Sequence, residues 1–115
     1  MKSASALWVI AEYPQFDTNS AASAIVALDA ARRLPTAGSL RLVKNGGLVG
    51  YGVDFAAMSR RAAYFVDKIL KDANPGDLPI EQATKFLTIV NLKTAKAIDV
   101  DIPPLLLASA DDVIE

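Results

Sequence analysis

A chain of 115 residues that is 52% hydrophobic and 22% charged has the size and apolar content of one globular domain with one core. Its 12 basic and 13 acidic residues leave a formal charge of -1, with no basic stripe to neutralise a row of phosphates, which argues against nucleic acid as a partner. The absence of cysteine and histidine excludes disulfides, thiol nucleophiles, the usual zinc sites and imidazole general bases.

Met1, Lys2 and the residues up to Glu12 offer only a short apolar stretch, too short for a secretory signal core or a membrane span, so the sequence as written carries no address. Residues 6–11, with Trp8, Val9 and Ile10, suit a strand buried on both faces of a parallel sheet, and Trp8 reads as core. Residues 12–19 form a polar loop holding Pro14. Glu12, Tyr13 and Phe16 follow the strand's carboxyl end, where open α/β sheets place ligands; they either line a cleft or pack onto the neighbouring helix. Asn19 or Ser20 caps an Ala-rich helix running to Arg33, with Ala21, Ile25 and Leu28 inward and Asp29, Arg32 and Arg33 toward water. Pro35 stops that helix, and residues 34–38 turn into a very short second strand. Residues 39–45 are predicted to make one or two helical turns, ended by Gly46 and Gly47.

Residues 48–51 form the third strand, and Tyr51, Gly52, Val53 and Asp54 the loop at its carboxyl end. In one reading Gly52 lets the backbone approach a ligand, Tyr51 packs on it, and Asp54 faces its polar end, such as an ammonium group. In the other, Gly52 serves a turn and Asp54 is the N-cap of the next helix; one carboxylate can do both. That helix, from Phe55 to about Lys71, carries the apolar stripe Phe55, Met58, Ala62, Phe65, Val66 and Ile69. Asp67 and Lys71 form an i,i+4 pair on its outer face. The pairs Arg32-Arg33 and Arg60-Arg61 read as solvated charges rather than anion sites.

A turn-rich connector, residues 72–79, leads to an extended stretch at 80–82 and a strand at 86–90. Asn91 caps a short helix, residues 92–97. Pro103 and Pro104 form a rigid boundary before a helical piece beginning at Leu105, and Asp111, Asp112 and Glu115 read as a soluble acidic tail. The glycines give neither the dinucleotide spacing nor a P-loop, and no nucleophile stands beside a base. No enzyme activity and no cofactor are expected; a small flavodoxin-like enzyme would need a bound cofactor.

Several ordered blocks carry a resemblance. They are Ala30-Ala31-Arg32-Arg33-Leu34-Pro35, Gly46-Gly47-Leu48-Val49-Gly50-Tyr51-Gly52-Val53-Asp54, and Arg61-Ala62-Ala63 with Val66-Asp67-Lys68-Ile69-Leu70-Lys71. Asp77-Leu78-Pro79-Ile80-Glu81-Gln82, Thr84-Lys85-Phe86, Val90-Asn91-Leu92-Lys93-Thr94-Ala95-Lys96-Ala97 and Ile102-Pro103-Pro104 come next, then Leu106-Leu107-Ala108, Ala110-Asp111 and Val113-Ile114-Glu115. Together they resemble the carboxyl-terminal part of bacterial ABC-transporter substrate-binding proteins, a family that includes tryptophan-type and related small-molecule binders.

The resemblance implies an α/β fold: part of a periplasmic-binding-protein-like (Rossmann-like) three-layer sandwich with mainly parallel strands, residues 1–115 forming one unit equivalent to the last part of a two-lobed protein. It implies capture of an amino acid, organic acid or other small organic solute between lobes and delivery to an ABC permease, with Tyr51, Gly52, Asp54, Glu12 and Tyr13 near the cleft. Complete family members are periplasmic or otherwise extracytoplasmic; with no signal peptide in the sequence as written, a cytoplasmic location is expected for it. Strand edges and helix faces left without the rest of such a fold predict a homo-oligomer, formed by exchange of a segment such as the strand at 86–90 together with the chain beyond it. The alternative is a standalone oligomerisation or interaction module derived from such a protein, without ligand.

Overall fold

The computed structural model describes residues 6–8 and 19–115, and these fall into two units, one drawn from Met1–Gly52 with Leu87–Glu115 and the other Val53–Phe86. Residues 9–18, among them Glu12, Tyr13 and Phe16, lie outside the described residues.

Short β-rich runs separated by helices give the first unit a five-stranded sheet in the order β1-β2-β3-β4-β5. The strands are β1 (Leu7–Trp8), β2 (Thr36–Gly38), β3 (Val49–Val53), β4 (Phe86–Asn91) and β5 (Asp112–Ile114). β1 pairs with β2, β2 with β3 and β4 with β5 in parallel, in registers that include Trp8 with Ala37, Gly38 with Gly50 and Val90 with Val113. β3 and β4 run in opposite directions: Asn91 N–H donates to the Leu48 carbonyl at one end and Asp54 N–H to the Lys85 carbonyl at the other. The sheet is therefore mainly parallel with one antiparallel pairing.

The helices are α1 (Asn19–Ala31), α2 (Leu40–Lys44), α3 (Phe55–Leu70), α4 (Leu92–Ile98) and α5 (Pro104–Ser109). Ser39 Oγ caps α2 by accepting from Leu42 N–H at 3.3 Å, and Gly46, at φ 107°, turns the chain back after it. Gly50 is required by packing: a Cβ there would stand 2.7 Å from Val43 Cγ1 and 3.0 Å from the Ser39 carbonyl, so α2 lies directly on β3. Val43 and Val90 are fully buried, and Leu48, Ala95 and Ile98 form a core cluster flanked by Val49, Val100 and Ile102. Buried Asn91 joins the layers. Its Oδ1 accepts from Thr94 N–H at 3.0 Å and its Nδ2 donates to the Val43 carbonyl, while Thr94 Oγ1 donates to the Gly46 carbonyl at 2.7 Å. Pro104 occupies the first turn of α5, as the double proline predicts.

Two expectations are overturned in this unit. On α1 the side chain of Ala21 lies outside the described ones; among those described, Ala22 and Asp29 are buried and Ile25 half-buried, whereas Leu28 is 65% exposed. The Ala-rich sequence defines its apolar face weakly, and Ala22, Val26 and Asp29 are spaced by four and three as well as the expected set is. Among the described residues Asp29 Oδ2 has no hydrogen-bond partner; burial pushes this carboxyl above the ordinary range, with Arg32 drawing it part of the way back. The expected acidic tail is instead strand β5. Asp111 exchanges bonds with Thr88, its Oδ2 accepting at 2.7 Å and its N–H donating at 2.8 Å, which starts the pairing of Val113 and Ile114 with β4.

The second unit is α3 and the connector after it. Lys71 and Asp67 form the expected i,i+4 pair at 2.9 Å, and a 3-10 turn at Pro75–Asp77 is capped by Asn74, whose Oδ1 accepts from Gly76 N–H. Residues 80–82 are not part of a strand, and Ile80 is fully exposed. α3 has the predicted apolar stripe yet buries no residue. Phe55 is 72% exposed and Val66 55%, so the stripe's expected inward role is not fulfilled within these residues.

Candidate functional site

β3 carries the chain through Tyr51 and Gly52 to Asp54, so these two residues belong to the strand and not to a loop beyond it. Successive side chains of a strand point to opposite faces, and Tyr51 is exposed while its neighbour Gly50 is buried. Gly52 serves neither a tight turn nor a forced close approach. Its backbone is not left-handed, and a Cβ would meet Leu40 Cγ at 3.4 Å, an ordinary contact.

Asp54 is the N-cap of α3, as one of the two readings holds. Its Oδ1 accepts from Ala57 N–H at 2.9 Å, its Oδ2 lies 3.2 Å from Lys85 Nζ, and its own N–H donates to the Lys85 carbonyl. The Ala57 bond holds the Asp54 carboxyl below its ordinary range against an opposing effect of desolvation, with Lys85 and then Arg60 adding to the lowering. The carboxylate stays ionised near neutrality and already has a cation beside it.

Asp54 also stands at one end of a groove of about 420 Å³ that lies wholly within the second unit. Ala57, Met58, Ala62 and Phe65 of α3 form its apolar side, and residues 81–85 form the other. Arg61 ties the two sides together: its Nε donates to Glu81 Oε2 at 2.6 Å and its Nη2 to Glu81 Oε1, a two-pronged pairing. The Arg61 bond is the main cause of a lowered Glu81 pKa, and Glu81 in turn raises that of Arg61. The guanidinium carbon also sits 4.2 Å from the Tyr64 ring centre and 4.9 Å from that of Phe65. Arg61 is thus a partnered residue, where the sequence suggested a solvated one. Glu81, twenty positions away in an irregular segment, gave no periodic signal that could have paired it with α3, and Lys85 gave none toward Asp54.

The structure therefore keeps Tyr51 and Gly52 on one strand and gives Asp54 a cap and an ion pair; Glu12 and Tyr13 lie outside the described residues. Among the described residues no group of three or more metal-ligating side chains occurs, and no helix is long and apolar enough to cross a membrane.

The sequence pattern of the family described as ABC transporter substrate binding protein matches residues 3–114. The chain belongs to that family. No curated protein matches it, but solved structures do. A conserved domain protein from Vibrio cholerae O1 biovar El Tor shares 21% identity at a TM-score of 0.79, with 95% of this chain and 36% of that one covered. An ABC domain from Streptococcus pneumonia, solved in complex with L-Trp, shares 24% identity at a TM-score of 0.79, with 96% and 37% covered. A ligand-free, open substrate-binding protein with adhesive properties from Clostridium difficile shares 17% identity at a TM-score of 0.67, with 96% and 36% covered. At these identities the likeness shows the fold, a mainly parallel α/β sheet of the periplasmic-binding-protein kind. This chain spans little more than a third of each neighbour's length, and its family is a binding family rather than an enzyme class.

Proposed function

We propose that this chain is the solute-binding component of an ABC importer, or the carboxyl-terminal part of one, and that it works without catalysis. The observation that carries the reading is the family match across nearly the whole chain, residues 3–114. Its solute is an amino acid or another small organic solute, a proposal supported by the L-Trp held by the Streptococcus pneumonia neighbour. Capture between two lobes outside the cytoplasm, followed by delivery to a membrane permease, is the mechanism that fits such a component. Tyr51, Gly52 and Asp54, with Glu12 and Tyr13, are proposed as its ligand-facing residues: an aromatic contact, a side chain small enough for backbone approach, and a carboxylate for an ammonium group.

Isothermal titration of the protein containing this chain, with L-tryptophan and a panel of amino and organic acids, tests the reading. One-to-one saturable binding of one class is expected, and a folded protein that binds none of them refutes it. Asp54→Asn retains a capping oxygen and should weaken an ammonium-bearing solute by on the order of tenfold. Unchanged affinity removes Asp54 from the site.

A second reading, an interaction module without ligand, is favoured by one observation: among the described residues Phe55, Val66 and Ile69 of the α3 stripe are exposed.

A further inference from the structure

Of the four asparagines in the sequence only Asn45 is followed by glycine; the others precede Ser20, Pro75 and Leu92. A backbone nitrogen can attack the side-chain amide carbon of the asparagine before it. Glycine hinders that attack least, having no Cβ, and proline, without an N–H, prevents it. In the reaction the Gly46 nitrogen bonds to Asn45 Cγ and gives up its proton, and ammonia leaves. Water then opens the succinimide ring at one carbonyl or the other. One product is an aspartate in an unaltered main chain; the other is an isoaspartate, whose main chain is one carbon longer.

The structure holds this bond in an unreactive form. Asn45 is the C-cap of α2 at ψ 10°, which turns the Gly46 nitrogen toward the Asn45 backbone nitrogen, whereas ring closure needs it beside Cβ. Gly46 N–H donates to the Val43 carbonyl at 3.1 Å. The amide is tied at both ends, its Nδ2 donating to the Arg41 carbonyl at 2.9 Å and its Oδ1 accepting from Ser23 Oγ of α1 at 3.2 Å. Attack therefore requires rotation about the Asn45 Cα–C bond and release of these bonds, which is an opening of the end of α2. The helix has five residues, and one so short is held by its packing rather than by its own cooperativity. Its last turn opens at a lower free energy than the whole fold.

The chain beyond Asn45 has no slack for the longer product. The Gly46 carbonyl accepts from Thr94 Oγ1 at 2.7 Å, and Gly47 N–H donates to the Leu42 carbonyl at 2.9 Å. Leu48 N–H donates to Thr36 Oγ1 at 3.1 Å, and the Leu48 carbonyl accepts from Asn91 N–H. An added main-chain carbon has to break some of these bonds or lift α2 from β3. The aspartate product loses the donor to the Arg41 carbonyl and sets a carboxylate against it.

We infer that Asn45 is a conditional modification site, locked while α2 is closed and converted through a succinimide with Gly46 when the end of α2 opens, and that conversion irreversibly loosens α2 from β3. The conversion needs no solute, so it is measured apart from binding.

The test is incubation of the purified protein at neutral to mildly alkaline pH, folded and in urea above its unfolding midpoint. Peptide mass spectrometry locates the amide-to-acid mass gain, and electron-transfer fragmentation separates isoaspartate from aspartate. In urea Asn45 should convert ahead of Asn19. In the folded protein it should convert about tenfold or more slowly, since only the open fraction reacts. Ser23 is exposed, so Ser23→Ala frees the Asn45 amide oxygen without entering the core, and it should speed the folded-state conversion about twofold or more. Asn45→Gln, whose longer side chain closes the ring poorly, should abolish the mass gain at this position. Converted protein, separated by ion exchange, should melt at a lower temperature than fresh protein and lose hydrogen-exchange protection at the Leu48 and Asn91 amides. Equal rates folded and unfolded overturn the inference, as does a folded-state rate that Ser23→Ala leaves unchanged, or converted protein as stable as fresh.

Discussion

Gly50 and Gly52 are two residues apart on one strand, and the structure gives substitutions there different consequences. At Gly50 an added Cβ would lie 2.7 Å from Val43 Cγ1 and 3.0 Å from the Ser39 carbonyl, well inside the roughly 3.5–4.0 Å at which carbon atoms rest against each other. Val43 is fully buried and β-branched, so it has few rotamers to retreat into, and the Ser39 oxygen is backbone. Relief therefore has to come from a shift of α2 off β3, an overpacking cost of about 1–3 kcal/mol. For a chain of this size that lowers Tm by roughly 4–12 °C. At Gly52 the same Cβ meets only Leu40 Cγ at 3.4 Å, and replacing glycine in a strand recovers a few tenths of a kcal/mol of backbone entropy. Gly52→Ala should leave Tm unchanged or slightly raised. Thermal melts of the two variants monitored by far-ultraviolet circular dichroism decide the matter, and equal losses at both positions would refute the packing argument. If Gly52→Ala keeps its stability yet loses solute binding, Gly52 is kept small for the ligand and not for the fold.

Asn91→Ala removes both the cap of α4 and the bond to the Val43 carbonyl, and should cost about 1–2 kcal/mol, read as a lower urea midpoint with an unchanged slope. Acid should loosen the second unit. The folded-state pKa values of Asp54 and Glu81 are both lowered, so their contribution is fully present above the ordinary carboxylate range and is lost as pH falls through the folded-state values. Hydrogen exchange at the first turn of α3 should therefore speed up in acid, and less steeply in Asp54→Asn; a pH-independent rate, after correction for intrinsic exchange, would contradict this.

Most of the fold was legible in the sequence because its signals are local. Proline and glycine punctuation marked the ends of α1 and α2, Asp54 and Asn91 announced the starts of α3 and α4, and the apolar runs located β3 and β4. The features that stayed hidden depend on residues distant in sequence. The last strand looked like a tail because Asp111, Asp112 and Glu115 frame only two apolar residues, and its pairing is set by Thr88, twenty-three positions earlier. The inward face of α1 was misplaced because its alanines let two faces look alike. The candidate site was legible only in part: Asp54 showed as cap and candidate ligand, but Lys85 and Glu81, which define its groove, lie in a segment with no periodicity.

α3 separates two kinds of information that a hydrophobic pattern carries. The spacing of Phe55, Met58, Ala62, Val66 and Ile69 specifies which face of the helix is apolar, and the structure agrees with that face. It does not specify what covers it. Burial of such a stripe contributes stability only when water is removed from it, and within the described residues it is not removed. The helix is held instead by its Asp54 cap and by exposed ion pairs, Asp67 with Lys71 and Arg61 with Glu81, which contribute little in water. A stripe this regular without a cover is a surface that favours association.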